Sequence, residues 1–560
     1  MTADAGFSAE LRRAVDAEVE SALREPSSEG AHRHLMDRVR LLVAAFLWPQ
    51  AARSGDGALI DSARESVAAL RALQGPSGLF VGGDNVDSPP DSAFTVNDLC
   101  DTLRLLDTQP HERTAEAEAL AAELADIADA VEPALLVGGV HTPNHRWEIS
   151  AALARLHRRR PAAELTARAA EWLAEGVDIT ADGIFSERSA NYAAYVSNPS
   201  LTVIADVFGA QHARDAVIRN LEATLGMIHP DGTVETVHSR RQDQLTRFPL
   251  APYLLMYRRY AIELGRGDFA WAAERALAQG IVHPAAILTE LLLDPRLGDE
   301  LPTAVPPKGG GTWAQSGLVV DADERRRLVV FGGSDYPRFR RVRSGLSTNP
   351  TFLRMFADDA VLDSIRLSRD FFGLGPFRAD GLRIRDDGGY RLTEEVSASY
   401  YQPFTGSALD SEGEYSLTDD GRFFGSMSFP ERRRDVVALR TAVSVVPTAD
   451  GAVIGLDLDG PDCAWALELA FRGGEFDGGD VRADGTVLLG AGAARYRSAR
   501  GAILVTADAG YRANGEPAYR PGEDYAFLGA TDAATGDRLY LTGRSPGRVT
   551  LTLRAETATS

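Results

Sequence analysis

The chain has 560 residues, of which 44% are hydrophobic and 25% charged, with a formal net charge of −21. That length asks for two or more domains, and the acidic balance argues against nucleic acid or an anionic membrane as a partner. Two cysteines, Cys100 and Cys463, argue against a disulfide framework or a cysteine zinc cage, and Lys308, the single lysine, nearly excludes Schiff-base and P-loop chemistry.

The first twenty residues contain no apolar core of a secretory signal, because Asp4, Glu10, Asp16 and Glu18 interrupt them. The apolar run at 41–48 is too short to span a bilayer, so a cytoplasmic protein is expected. From residue 7 to 300, apolar residues recur at three- and four-residue spacing between Gly, Pro and Asp breaks. About ten to twelve helices fit, and helical hairpins in series predict an α/α-toroid over 1–300.

Two stretches interrupt the pattern. Residues 75–96 read as a long Gly/Pro loop, equally a mobile surface loop or one that brings Asp84, Asn85, Asp91, Ser92 and Phe94 to a cleft. Residues 229–248 gather His238, Arg240, Arg241 and Gln242 around a short strand-like run.

Between them lie two polar constellations. Thr142 suits a helix N-cap and Pro143 the first helical position, which puts Asn144, His145, Arg146, Trp147 and Glu148 in the first turn. Free N–H groups and the helix dipole favour an anion there, so this turn reads as a carboxylate receptor. It reads equally as an ordinary helix start with a buried Trp147. Further on, Asp182-Gly183 makes a turn, and Ser186 or Ser189 caps a helix carrying Tyr192 and Tyr195 at i, i+3, with Glu187 and Arg188 just before it. The same tyrosines also read as core residues with wet hydroxyls.

Residues 301–311 are a Pro/Gly linker. Beyond them, short alternating or β-branched runs between Gly/Asp turns predict an antiparallel β-sandwich over 312–560. Alternation puts Arg341 and Arg343 on one face of a strand, as cleft residues or as a solvated basic edge. All ten histidines lie at or before His283, so no zinc site is expected in the β half, and no metal or cofactor elsewhere.

Asn144-His145 at a helix start, the segment from Asp182-Gly183 through Glu187 to Tyr192, and Asp231-Gly232, in an α-domain followed by a β-domain, resemble the heparinase II/III-like polysaccharide lyases. Alginate and oligo-alginate lyases belong to that group. The resemblance implies β-elimination beside a uronic acid, whose C5 proton becomes removable once its carboxylate is neutralised. By motif, Asn144 and His145 neutralise it and Tyr192 is the base, the acid, or both. A phenol's ordinary pKa near 10 is too high for a base at neutral pH, so Arg188, Arg240 or Arg241 would have to lower it. Glu148 would hold Arg146 or His145 in place. Many relatives carry a further catalytic histidine in the β-domain; here His238, or an arginine or tyrosine of the sheet, would replace it.

The expected function is a lyase acting on a uronic-acid-containing glycan, exo-acting on short oligosaccharides. Its substrate contacts would come from Arg146, Trp147, Glu148, Glu187, Arg188 and Tyr195, from Asp91 and Phe94, from Arg240, Arg241 and Gln242, and from Arg341 and Arg343. Homo-oligomerisation is left open. Two other classes stay open: a glycoside hydrolase drawing paired carboxylates from Glu148, Asp182, Glu187, Asp231 and Glu235, and a non-catalytic glycan-binding protein.

Overall fold

A computed structural model describes residues 3–83, 85–108, 114–323, 326–339, 346–419, 425–490, 492–520 and 535–557. The chain divides into two compact units, residues 1–228 with 248–308, and residues 229–247 with 309–560.

The first unit is an α/α-toroid. Helix His32–Leu47 packs on Pro89–Thr108, that helix on His145–Arg159, and this one on Asn198–Phe208. Pro284–Leu293 closes back onto the first two. Outside them, Gly57–Ala72, Ala115–Val137, Ala163–Leu173 and Gln211–Leu225 each lie against an inner helix. Residue chemistry sorts the two layers. The inner helix His32–Leu47 has an unbroken buried run from Leu41 to Leu47, whereas the outer helix Ala163–Leu173 buries only Leu165 and Ala169. A helix apolar on most sides goes inside, and one with a narrow stripe goes outside.

The loop expected over 75–96 ends early. Helix Pro89–Thr108 starts on two prolines, in the first turn where no intrahelical N–H is owed, so Asp91 and Phe94 are helical. Among the described residues no helix is long and apolar enough to cross a membrane.

The second unit is a β-sandwich. Among the described residues it has an eight-stranded and a nine-stranded sheet. Pairing is antiparallel except where Val487–Leu488 runs beside Asp537–Arg544. Alternate residues of the long strands, such as Leu392, Val443, Ile454 and Leu551 from one sheet and Leu362, Ile365, Leu467 and Leu541 from the other, share one apolar core.

Candidate active site

Helix His145–Arg159 begins two residues later than the sequence suggests, and Thr142 is not its cap. Residues 142–145 form a turn, in which the His145 N–H donates to the Thr142 carbonyl at 3.3 Å. Asn144 takes the cap position with helical backbone angles, and its side chain makes no capping bond. Its amide instead donates to Glu187 Oε2 at 2.6 Å and accepts from Thr142 Oγ1 at 3.1 Å. Asn144 is only 1% exposed. This bond ties the helix entrance to the segment that carries Tyr192. His145, also buried, packs edge-on against His141 with ring centroids 4.7 Å apart.

The tyrosine segment is built on a bend. Arg188 adopts a left-handed φ of 53°, which costs a residue with a side chain ~1–2 kcal/mol. Ser189 then caps the short helix Ala190–Tyr192, its Oγ accepting from the Tyr192 N–H at 3.1 Å. That helix runs straight into a π-helical turn, Ala193–Ser197. The placement of Tyr192 and Tyr195 on one face at i, i+3 presumed 3.6 residues per turn, and the π turn between them is wider than that. Tyr192 is half-buried, while Tyr195 is 39% exposed and packs edge-on against His283 at 5.1 Å and Phe248 at 6.3 Å. Partial burial raises the Tyr195 hydroxyl above its ordinary pKa. His283, at the start of Pro284–Leu293, is also left-handed, with φ 57°.

Several expected substrate contacts have other roles. Trp147 is 1% exposed and belongs to the core, so it is corrected to a packing residue. The Arg146 guanidinium lies 4.6 Å from its ring and is held by Glu175 at 2.7 Å and Asp178 at 3.0 Å. Asp91 is buried beside Arg33, and accepts from the Asn85 N–H at 3.0 Å and side-chain amide at 2.9 Å. It therefore staples the preceding loop instead of lining a cleft. Asp84, Arg341 and Arg343 lie outside the described residues.

Phe94, Glu148 and Tyr195 converge on one cavity of about 240 Å³ inside the toroid. Glu148 accepts from Asn97 Nδ2 at 2.6 Å and Ser200 Oγ at 2.9 Å. Burial nevertheless raises its pKa, outweighing those two bonds. The same cavity is lined by Arg40, Asp98, Asp101, Arg155 and Glu290, which the sequence reading missed. Arg40 pairs with Asp98 at 2.6 Å and Arg155 with Asp101 at 2.7 Å. Burial pushes the Asp98 carboxyl up to about 7. The available signal was spacing: Asp98 and Asp101 at i, i+3, and Glu148 and Arg155 two turns apart, place charge on one face of otherwise apolar helices.

His238, Arg240, Arg241 and Gln242 belong to the second unit. His238 is buried there, and Gln242 opens the 3₁₀ turn Gln242–Leu245. Arg240 grips Asp335 with two bonds, at 2.7 and 2.9 Å. At the base of this segment Glu235 is buried, and it pairs with Arg354. It also accepts from His229 Nε2 at 3.0 Å and from the Thr236 and Val237 N–H groups at 2.8 and 2.6 Å. The His229 ring stacks on Phe356 at 4.1 Å. Although burial opposes ionisation, Arg354, His229 and these N–H donors hold the Glu235 carboxyl well below the usual carboxylate range. Among the described residues, no three His, Cys, Asp or Glu side chains are grouped to hold a metal.

An α/α-toroid joined to an antiparallel β-sandwich is the fold of several solved polysaccharide lyases. The chondroitin AC lyase of Streptomyces coelicolor A3, solved in complex with chondroitin sulphate, matches 100% of this chain and 80% of its own, with a TM-score of 0.57 and 14% identity. A heparan sulfate lyase from Pedobacter heparinus matches 94% of this chain and 76% of its own, with a TM-score of 0.53 and 11% identity. A Paenibacillus xanthan lyase matches 98% of this chain and 55% of its own, with a TM-score of 0.56 and 10% identity. No family model and no curated protein sequence matches the chain. At these identities the likeness is one of fold.

Proposed function

We propose that the protein is a polysaccharide lyase that cleaves a uronic-acid-containing glycan by β-elimination, exo-acting on short oligosaccharides. The observation that carries this reading is the Asn144–Glu187 bond, which joins the helix entrance to the tyrosine segment in a chain sharing its fold with lyases of chondroitin, heparan sulfate and xanthan. Glu187 fixes the orientation of the Asn144 amide, so that its second N–H and the His145 imidazole meet the uronate carboxylate. Charge developing on that carboxylate as C5 is deprotonated is then stabilised by donors already in place. Tyr192 takes the C5 proton, the electrons of that C–H bond form the C4–C5 double bond as the C4–O bond breaks, and the Tyr192 hydroxyl returns the proton to the leaving oxygen.

The test is a panel of uronate oligosaccharides followed by near-ultraviolet absorbance. Elimination leaves a 4,5-unsaturated uronate that absorbs there. A new reducing end without that absorbance would instead mean a hydrolase, and binding without turnover a glycan receptor. Asn144→Ala lowers turnover by about a hundredfold or more, on the scale of losing one oxyanion donor. Unchanged initial rates for that variant would remove the helix entrance from the mechanism.

A further inference from the structure

The inner helices leave a second hollow, of about 660 Å³, near their C-terminal ends. Arg158, in the last turn of His145–Arg159, lies about 20 Å along that helix from His145. Arg158 and Arg104, the latter on the packed helix Pro89–Thr108, both line the hollow and are half-buried. Among the described residues, neither side chain has a hydrogen bond or an ion pair. A basic last turn ordinarily complements a helix C-terminus. Arg159 and Arg160 are also held by acids, Asp129 and Glu132, whereas Arg158 is not.

The acids of this wall are answered elsewhere. Asp101 pairs with Arg155 at 2.7 Å, Asp206 with Arg259 at 2.5 Å, Glu263 with Arg214 at 2.5 Å and Asp294 with Arg296 at 2.7 Å. Burial and the neighbouring Asp101 raise the Glu290 carboxyl towards its neutral form, in spite of Arg155 and Arg259. Asp101 and Asp206 also act on Arg158, but without pairing with it. Burial and the like charge of Arg104 outweigh them, and the Arg158 guanidinium falls below its ordinary pKa. Arg155 and Arg259 shift the other way: burial opposes their charge, and Asp101 and Asp206 more than restore it. Two half-buried cations on packed helices therefore repel each other, and no described acid pairs with either.

We propose that this hollow binds a hydroxylated small molecule through a phosphate or sulfate ester, the oxyanion held between Arg104 and Arg158. Each guanidinium offers a fork of N–H donors. A planar carboxylate has two oxygens and fills one fork, whereas a tetrahedral ester has three free oxygens and serves both. The hollow has room for about twenty waters, far more than a bare anion takes. Among the described residues only Val203 and Leu293 give it apolar lining, so the rest of the ligand is polar. Its hydroxyls donate to Asp206, Glu263 and Asp294, whose carboxylates accept further bonds beside their arginines. The inference does not rest on the lyase reading, because the two arginines stand at the other end of the helix from Asn144 and His145.

Titration calorimetry on the full chain at pH 7.5 and fixed ionic strength tests it with four probes: glucose 6-phosphate, glucose 6-sulfate, glucose and glucuronate. At least one of the two esters binds, glucose does not, and glucuronate binds at least tenfold more weakly than that ester. Binding of the phosphate alone would assign a phosphate ester, and of the sulfate alone a sulfate ester. Arg158→Gln and Arg104→Gln each weaken ester binding tenfold or more. The thermal midpoint of the ligand-free protein holds or rises in both, since each variant removes a like-charge repulsion and breaks no ion pair. Arg104→Gln keeps the test decisive if Arg158→Gln does not fold. Absence of binding by both esters, equal binding of glucose or glucuronate, or ester affinity indifferent to the substitutions would overturn the proposal. Turnover of a uronide without ester binding would overturn it and leave the lyase reading standing; ester binding without any turnover would do the reverse.

Discussion

Tyr192→Phe lowers turnover of a uronate oligosaccharide by about a thousandfold, within the range spanned by positioned acid–base groups, and leaves substrate affinity nearly unchanged. The substitution is confined to one oxygen. Ser189 caps the helix through the backbone N–H of residue 192, which phenylalanine retains. The ring is half-buried and stays so, hence the fold is not at risk. A loss in kcat with a constant dissociation constant therefore isolates the proton-transfer step. Absorbance at saturating substrate gives the first quantity and calorimetry the second. Turnover at the wild-type rate would take Tyr192 out of the reaction.

Glu235→Leu destabilises the second unit by about 3–5 kcal/mol, the scale of removing one partner from a buried ion pair. Arg354, His229 and two backbone N–H groups all converge on this carboxylate, and all would lose it together. The pH dependence has a definite sign. The folded carboxyl titrates below the value of 4.5 for an unperturbed glutamate. Its stabilising contribution is thus complete above pH 4.5 and is lost as pH falls below that value towards the folded pKa. Denaturant titrations from pH 7 to pH 3 check both points: the wild type loses more stability than the variant below pH 4.5. Equal stability of the two at pH 7 would show that the cluster contributes nothing.

The two architectures were legible because each imposes its own period. Three- and four-residue spacing cannot serve a strand, and the alternation beyond residue 311 cannot serve a helix. Local patterns failed where a distant partner decided the outcome. Thr142 satisfies the rules for an N-cap, yet Glu187, 43 residues away, holds Asn144 at that position. Trp147 could face either way from sequence, and burial settled it. The π turn at Ala193–Ser197 has no compositional signature, so a 3.6-residue period was presumed across Tyr192 and Tyr195. Asp98, Asp101, Arg155 and Glu290 each resemble ordinary charges on a solvated helix face. Only the inner placement of their helices turns them towards a shared hollow.

Residues 229–247 leave the helical unit, pack with the sheets, and return before the last helices are made. Glu235 must therefore wait for Arg354, 119 residues downstream, before its charge is matched. During synthesis this excursion emerges before the strands of the sandwich that it is grouped with, so that unit is completed only after residue 309 onwards has been made. Cutting the chain in the 301–310 stretch would not release two self-sufficient halves. The sandwich would lack a piece encoded in the other fragment, and recombining halves between proteins of this shape succeeds only when residues 229–247 travel with the sheets.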